Sequence, residues 1–221
     1  MCVNEFTEFL NDRWQHLLDF NQDFLLHPTN LAIYSVAIRR CGSPSSSIFG
    51  FIDCTICCIC RPTEHQRQAY NGHKKVHSLE FQAVVLPNGM FGHLFGPVEG
   101  RRNNAHLLAA SGLMELCALH AVLPGVDEDT PIEDQYFQVF GNPAYGVGMH
   151  IQSPFSGAGE RTEEEQEYNR QMAAVRIEVE HAFGIVQLGV LLTNALNCFR
   201  PNQVSQYFDC RPPSLSEYFH H

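Results

Sequence analysis

The sequence has few charged residues and no long apolar run. Charged side chains make up 17% of the 221 residues, too few for a disordered chain or a coiled coil. The longest apolar stretch, 185–192, is interrupted by Gln187 and Gly189, whereas a membrane helix needs about 20 consecutive apolar residues. Hydrophobic residues reach 44%, enough for a buried core. We therefore expect one globular domain without a membrane span.

The first residues also lack the features of an export signal. A secretory signal begins with basic residues that are followed by an unbroken apolar segment. Here Glu5, Glu8 and Asp12 are spread through the amino-terminal segment. We therefore expect the protein to stay inside the cell.

The cysteines do not form an evident set of disulfide pairs. There are nine of them, an odd number, so free thiols are expected in a chain without an export signal. Cys54, Cys57, Cys58 and Cys60 have the spacing of half a zinc site, but the other five are isolated and supply no second ligand pair. Either the cluster binds zinc, or its thiols are small apolar side chains of a buried strand; the missing pair favours the strand.

The net charge of −10 is distributed unevenly along the chain. The segment from Arg61 to Arg102 contains six basic and three acidic residues, and such a patch is typical of phosphate contacts. The segment from Glu115 to Glu180 contains thirteen acidic and three basic residues, concentrated at 127–134 and 160–167. A solvated surface is the simplest interpretation of both acidic clusters.

Apolar periodicity predicts helices near the amino terminus. In residues 1–40 apolar side chains recur at three- and four-residue spacing, which is the pattern of an amphipathic helix. The segment 41–47 is rich in Gly, Pro and Ser and marks a boundary. We therefore predict a helical N-terminal extension over 1–47 and a main domain over 48–221.

The main domain begins with a predicted buried strand at 48–60. This segment is rich in β-branched, aromatic and thiol side chains, as a central strand is. Asp53 lies inside it, and a carboxylate there is costly to bury unless a cation or several donors compensate. Asp53 is therefore the first candidate functional residue.

Local signals predict the elements that follow. An Asn-Gly turn at 88–89 lies between two strand-like runs and indicates a hairpin, and 104–119 has a helical pattern. A strand at 136–140 ends in 141–145, a candidate site because ligands collect beyond the carboxyl ends of strands.

A capping box at 162–165 opens a helix that we expect to reach Phe183. One face of this helix carries Asn169, Ala173, Arg176 and Glu180, and the spacing alone favours an Arg176–Glu180 ion pair.

Eight short motifs follow one another along the chain: GFIDCT (50–55), ICRP (59–62), YNGHK (70–74), FQAVV (81–85), HLFGPVEGRR (93–102), GNPAY (141–145), QSPF (152–155) and VRIEVEHAFG (175–184). Together, over residues 35–219, they resemble the DDE superfamily endonuclease domain of PIF/Harbinger-type transposases. The resemblance implies an α/β fold of the RNase H-like type, a mixed β-sheet flanked by helices. This agrees with the pattern of strands and helices predicted above.

The resemblance also implies a site for divalent metal ions, Mg²⁺ or Mn²⁺. Asp53 matches the first aspartate of the family and Glu180 matches its glutamate, whereas Asn142 stands where the family has its second aspartate. Two-metal hydrolysis of a phosphodiester needs anionic oxygens that bridge the ions. We therefore expect the neutral Asn142 to impair DNA cleavage.

Two functions stay open at this point. The chain is either a weak metal-dependent DNA endonuclease or a non-catalytic, domesticated or degenerate DNA- or protein-binding relic of a transposable element. The resemblance further implies a nuclear location, a separate Myb-like protein that supplies sequence-specific DNA binding, and a domain shortened after Gly184. The predicted contacts to DNA phosphates are Arg61, Lys74, Lys75, Arg101 and Arg102.

Overall fold

Two helices open the chain in the computed structural model, which describes residues 3–126, 129–131, 134–157, 159–180, 187–199 and 202–219. They are α1, Val3–Trp14, and α2, Pro28–Arg40. Pro28 suits the first turn of α2, where a backbone N–H has no helical partner. The helical character predicted for 1–47 is thus present in these two ranges, while 19–27 is not helical.

A mixed sheet lies at the centre of the fold. Its strands in the described residues are β1, Ile48–Cys58; β2, Tyr70–Asn71; β3, Val76–Val85; β4, Phe91–Glu99; β5, Gln138–Phe140; and β6, Ile151–Gln152. The order is β2-β3-β1-β5-β6, with β4 also paired to β3. Strand β3 is antiparallel to β1 and β4, whereas β1, β5 and β6 run parallel. The prediction of an α/β fold with a mixed sheet is confirmed, and the arrangement is consistent with the RNase H-like type.

The hairpin between β3 and β4 forms at the predicted Asn-Gly turn. Gly89 has a φ of +79°, a backbone conformation that glycine adopts without steric cost. Its carbonyl oxygen accepts hydrogen bonds from Asn197 Nδ2 at 2.8 Å and Asn202 Nδ2 at 3.3 Å. The turn therefore also fastens the carboxyl-terminal segment to the sheet.

Helices flank the sheet. In the described residues they are α3, Gln66–Ala69; α4, Asn104–Ala110; α5, Leu113–His120; α6, Glu163–Glu180; α7, Gln187–Phe199; α8, Gln203–Tyr207; and α9, Leu215–Phe219. None of these is both long and apolar enough to cross a membrane. The segment predicted as one helix at 104–119 is divided into α4 and α5, because Gly112 has a left-handed φ of +66°.

The start of α6 matches its sequence signal. Thr162 N donates to Glu165 Oε2 at 2.9 Å, and Glu165 N donates to Thr162 Oγ1 at 3.2 Å, so the predicted capping box is confirmed. The expected end of this helix at Phe183 and the shortening after Gly184 concern 181–186, which lie outside the described residues.

The hydrophobic core joins α2 to the sheet. Leu31 and Ile38 of α2 belong to the same buried cluster as Phe49 and Phe51 of β1. Each such side chain contributes about 1.5–3 kcal/mol when it is fully removed from water. Helix α2 therefore stabilises the sheet that carries Asp53. The domain boundary near residue 47 stays a prediction.

Candidate active site

Asp53 lies in β1 beside the end of β5. The parallel register pairs Phe51 with Phe140, and Asp53 and Asn142 each come two residues later. Because paired strands advance by nearly the same rise per residue, both side chains reach the same place on the sheet. The structure thus brings together two predicted site residues that are 89 positions apart.

The chain turns sharply just after β5. A Cβ on Gly141 would lie 2.7 Å from the Tyr145 ring, so glycine allows the turn to pack this closely. Asn142 then caps a 3-10 turn, Pro143–Tyr145, and its Oδ1 accepts the Ala144 N–H at 3.0 Å. The position of the Asn142 side chain is therefore fixed by local backbone structure.

Every carboxylate oxygen of Asp53 has a partner. Oδ1 accepts from the Cys54 N–H at 2.8 Å and from Asn142 Nδ2 at 3.0 Å. Oδ2 accepts from Arg176 Nη2 at 2.6 Å. The side chains of Asp53 and Arg176 are only 22% and 12% exposed. The charge of this half-buried carboxylate is therefore balanced inside the protein.

The two hydrogen bonds of Asn142 define which way its amide points. If the amide were rotated, its oxygen would face Asp53 Oδ1, and its NH₂ group would face the Ala144 N–H. Both contacts would then lack a donor and acceptor pair. Asn142 therefore presents an N–H donor to Asp53 rather than an oxygen.

Arg176 is the site residue that sequence reasoning missed. The spacing predicts Glu180 as its partner, a pair that the described side chains do not test; the structure shows that Arg176 donates to Asp53, 123 positions away. The available signal was the predicted helix face that Arg176 shares with Glu180, a predicted site residue. Glu180 is the last residue of α6, and its side chain lies outside those that the structure describes.

Tyr145 and Cys54 border the site without contributing an acid or a base. The Tyr145 hydroxyl and the Cys54 Sγ are 3.0 Å apart. Burial raises the pKa of the Cys54 thiol to about 12, and burial raises the pKa of Tyr145 strongly. Both groups therefore stay protonated at neutral pH and support the turn by packing and hydrogen bonding.

The described donors do not fit a pair of divalent ions. Those ions need several anionic oxygens, and the described residues contain no group of three His, Cys, Asp or Glu side chains that could hold a metal ion. Here Asp53 is paired with Arg176, and Asn142 uses its oxygen to cap Ala144. A metal ion would have to displace the guanidinium and reorient the amide.

The cysteine cluster forms no zinc site in the described residues. The four thiols at 54, 57, 58 and 60 are free, and Cys58 and Cys60 are exposed. The interpretation of the cluster as buried strand residues is therefore wrong for these two. Cys58 is the last residue of β1 and Cys60 follows two residues later, where the chain has left the core.

The residues predicted to contact DNA phosphates gather at one end of the sheet. At this end β1 stops, β3 begins and β4 stops, because Cys58 pairs with Ser78 and Glu99 with Leu79. Cys58 is five residues beyond Asp53, about 17 Å along the strand. The flanking segments at this end carry Arg61, Lys74, Lys75, Arg101 and Arg102. A contact with phosphate stays a prediction for each of them.

Most of these basic side chains are open to solvent. Arg61, Lys74, Lys75 and Arg101 are exposed, and Arg102 is half-buried. Arg102 pairs with Glu99 at 3.0 Å, so its charge is partly balanced. Lys74 and Lys75 lie exposed in the turn between β2 and β3, which makes them the simplest positions to test.

A mixed sheet with an acid on its central strand, beside the end of a parallel neighbour, is consistent with the RNase H-like class of fold. The family model for the DDE superfamily endonuclease matches residues 52–208, most of the chain and all of the site described above. The chain therefore belongs to the DDE superfamily endonuclease family. No curated protein and no solved structure matches it.

Proposed function

We propose that this protein is a Harbinger-type, transposase-derived domain that binds DNA phosphates without cleaving DNA efficiently. Membership of the DDE superfamily endonuclease family supports a nucleic acid as ligand. The eight ordered motifs support the Harbinger type, and by the same resemblance we propose a nuclear location and a Myb-like partner protein.

The environment of Asp53 carries the proposal that cleavage is impaired. Its carboxylate is held by the Arg176 guanidinium and the Asn142 amide. The two-metal reaction places metal charge between carboxylates, whereas here an arginine supplies the positive charge and a neutral amide replaces the second acid. Asp53, Asn142 and Glu180 then mark the position of an ancestral Mg²⁺ or Mn²⁺ site.

The basic end of the sheet carries the proposal of DNA binding. Four exposed basic side chains lie there at the ends of neighbouring strands. Contacts from Lys and Arg to phosphates hold DNA without reading its sequence. The protein as a whole has a charge of −10, so we expect phosphate contacts mainly at this end and weak binding overall.

Two measurements test the proposed function together. Supercoiled plasmid is incubated with the protein and Mg²⁺ or Mn²⁺, and binding to a labelled duplex is followed by fluorescence anisotropy. We expect binding at low salt and no nicking above background. Nicking by the native protein that Asp53→Ala abolishes would instead identify an active endonuclease, and absence of any binding would refute the DNA-binding role.

A further inference from the structure

A cleft lies next to the Asp53 site, beside the edge strand β6. Its volume is about 510 Å³. Val147, Met149 and Phe155 on its wall are 76%, 45% and 44% exposed, although each is a large apolar side chain. Ser153 connects the cleft to the candidate site, because its Oγ donates to the Asn142 carbonyl oxygen at 3.0 Å.

The backbone of Phe155 is held at this exposed position. Asn169 of α6 accepts the Phe155 N–H through Oδ1 at 2.8 Å and donates through Nδ2 to the Phe155 carbonyl oxygen at 2.9 Å. The rings of Phe155 and Tyr168 pack in a T-shaped arrangement, with a centroid separation of 5.2 Å. Because the backbone of Phe155 is held and its ring has a packing partner, binding of a ligand to this ring costs little conformational entropy.

The floor of the cleft is polar, but its amides are engaged within the protein. Gln138 accepts from Ser47 Oγ at 2.7 Å and donates to the Met149 carbonyl oxygen at 2.9 Å. Gln152 donates to Gln138 and accepts from the Tyr168 hydroxyl. This network fixes the shape of the cleft, so a ligand would be held by its apolar faces more than by hydrogen bonds to its edge.

The cleft is close enough to the Asp53 site to share a ligand with it. Asn169, which holds Phe155, and Arg176, which holds Asp53, lie seven residues apart on one face of α6. Two helical turns correspond to about 10 Å. A single strand of DNA that passes Asp53 would therefore bring a neighbouring base within reach of Phe155.

From these observations, we propose that the cleft binds one unpaired nucleobase by stacking it on Phe155. This inference rests on the proposed DNA-binding function. Stacking on an aromatic ring tolerates any base, because every base has a π-face. Gln138 and Gln152 already hydrogen-bond within the protein, so we expect them not to select one base over another. The exposed Glu163 and Glu164 at the start of α6 repel phosphates, so the base enters the cleft while the backbone stays on the Arg176 side.

The test compares single-stranded and duplex oligonucleotides of equal length and sequence by fluorescence anisotropy at one low salt concentration. Phe155→Ala should weaken single-strand binding about tenfold, the effect of losing one stacked base, and change duplex binding less than twofold. Phe155→Trp should retain single-strand binding. Phe9→Ala removes another exposed aromatic ring, 55% exposed, and serves as the matched control.

The outcomes separate this inference from the proposed function. If the native protein binds neither oligonucleotide, both fail. If it binds both and Phe155→Ala weakens neither, the DNA-binding role stands and stacking is overturned. An apolar protein segment is then the alternative ligand of the cleft. If Phe155→Ala weakens both equally and Phe155→Trp does not restore binding, the change is structural and the inference is also overturned.

Discussion

Arg176 donates a hydrogen bond of 2.6 Å to Asp53 Oδ2, so a cation from α6 meets the acid of the central strand. In a two-metal site the positive charge next to this acid comes from the ions. Arg176 belongs to the same chain, so it cannot leave the protein as a bound ion can. The fold around Asp53 should therefore be stable without added metal.

Removal of this partner should destabilise the fold. Arg176→Met keeps an unbranched side chain that fills the space of the arginine stem, and it leaves the half-buried Asp53 carboxylate without its cation. We expect the free energy of unfolding to fall by about 2–3 kcal/mol, less than for a fully buried pair. Urea denaturation followed by circular dichroism measures the change.

A matched control and a double variant test the cause. Arg170→Met breaks the exposed Glu167–Arg170 pair, whose side chains are 46% and 72% exposed, and should change stability little. Asp53→Asn combined with Arg176→Met should lose less than the two single variants together. Strict additivity would show that the two residues stabilise the fold independently of each other.

The parts of the fold that sequence predicted well have local signals. The hairpin follows from an Asn-Gly turn, and the start of α6 follows from Thr162 and Glu165. The division between α4 and α5 was missed because Ser111 and Gly112 lie inside an apolar pattern that continues on both sides. There the left-handed conformation of Gly112 overrides the helical period.

The candidate site depends on contacts that local patterns do not encode. The Asp53–Asn142 contact needs the register of β1 against β5, which packing of the core determines, and the ordered family motifs were its only advance indication. Helix spacing predicts only those partners of Arg176 that lie on the same helix. Such spacing cannot predict a carboxylate that is 123 positions away in the sequence.

His93 should make the protein sensitive to acid. Burial lowers the pKa of His93 to about 4 from 6.5, so the unfolded chain binds a proton more readily than the folded chain between these values. Stability should therefore fall as the pH decreases from about 6.5 to 4, by about 3 kcal/mol for this residue.

Comparison of variants over this pH range isolates the effect. His93→Leu should reduce the difference in free energy of unfolding between pH 7 and pH 4.5. The control His73→Ala changes an exposed histidine and should show the same difference as the native protein. An unchanged profile in His93→Leu would show that another group causes the acid sensitivity.

Glu80 should have the opposite pH dependence. It is buried in β3, and its Oε1 accepts from Asn71 Nδ2 at 2.7 Å. Burial raises the pKa of Glu80, so the folded chain holds this proton more tightly and loses stability as the pH rises above the usual glutamate range. Glu80→Gln keeps an acceptor for Asn71 and should stabilise the protein at pH 7.5 but not at pH 4. A loss of stability at pH 7.5 would contradict the assignment.

Charge at the basic end of the sheet should control DNA binding. Lys74→Glu with Lys75→Glu should weaken binding to a duplex and reduce the slope of log affinity against log salt, by about one for each phosphate that the variant no longer neutralises. Arg40→Glu with Arg211→Glu reverses two exposed charges elsewhere and serves as the control. An equal reduction of affinity in both double variants would mean that net charge, and not this surface, governs the binding.

Asn142→Asp should convert the site into one that responds to metal. An aspartate can still cap the Ala144 N–H, but it removes the donor that Asp53 Oδ1 accepts and places a second negative charge about 3 Å away. Without metal we expect the free energy of unfolding to fall by about 1–2 kcal/mol. With Mn²⁺ or Mg²⁺ the melting temperature of the variant should rise, because a ligand that binds only the folded state stabilises it, while that of the native protein should not change.

The combination with Asp53→Ala shows whether this response belongs to the site. If Asn142→Asp gains a metal-dependent rise in melting temperature that Asp53→Ala abolishes, residues 53 and 142 share the ion. Nicking of plasmid by Asn142→Asp would then show that the missing acid alone had prevented cleavage. Metal stabilisation without nicking would mean that another feature of the site also prevents cleavage. The next variant to test is then Arg176→Met in the Asn142→Asp background, because the guanidinium still competes with the ion for Asp53. A native protein that already binds Mn²⁺ as tightly as Asn142→Asp would refute the argument, because the neutral amide would then not be what excludes the metal.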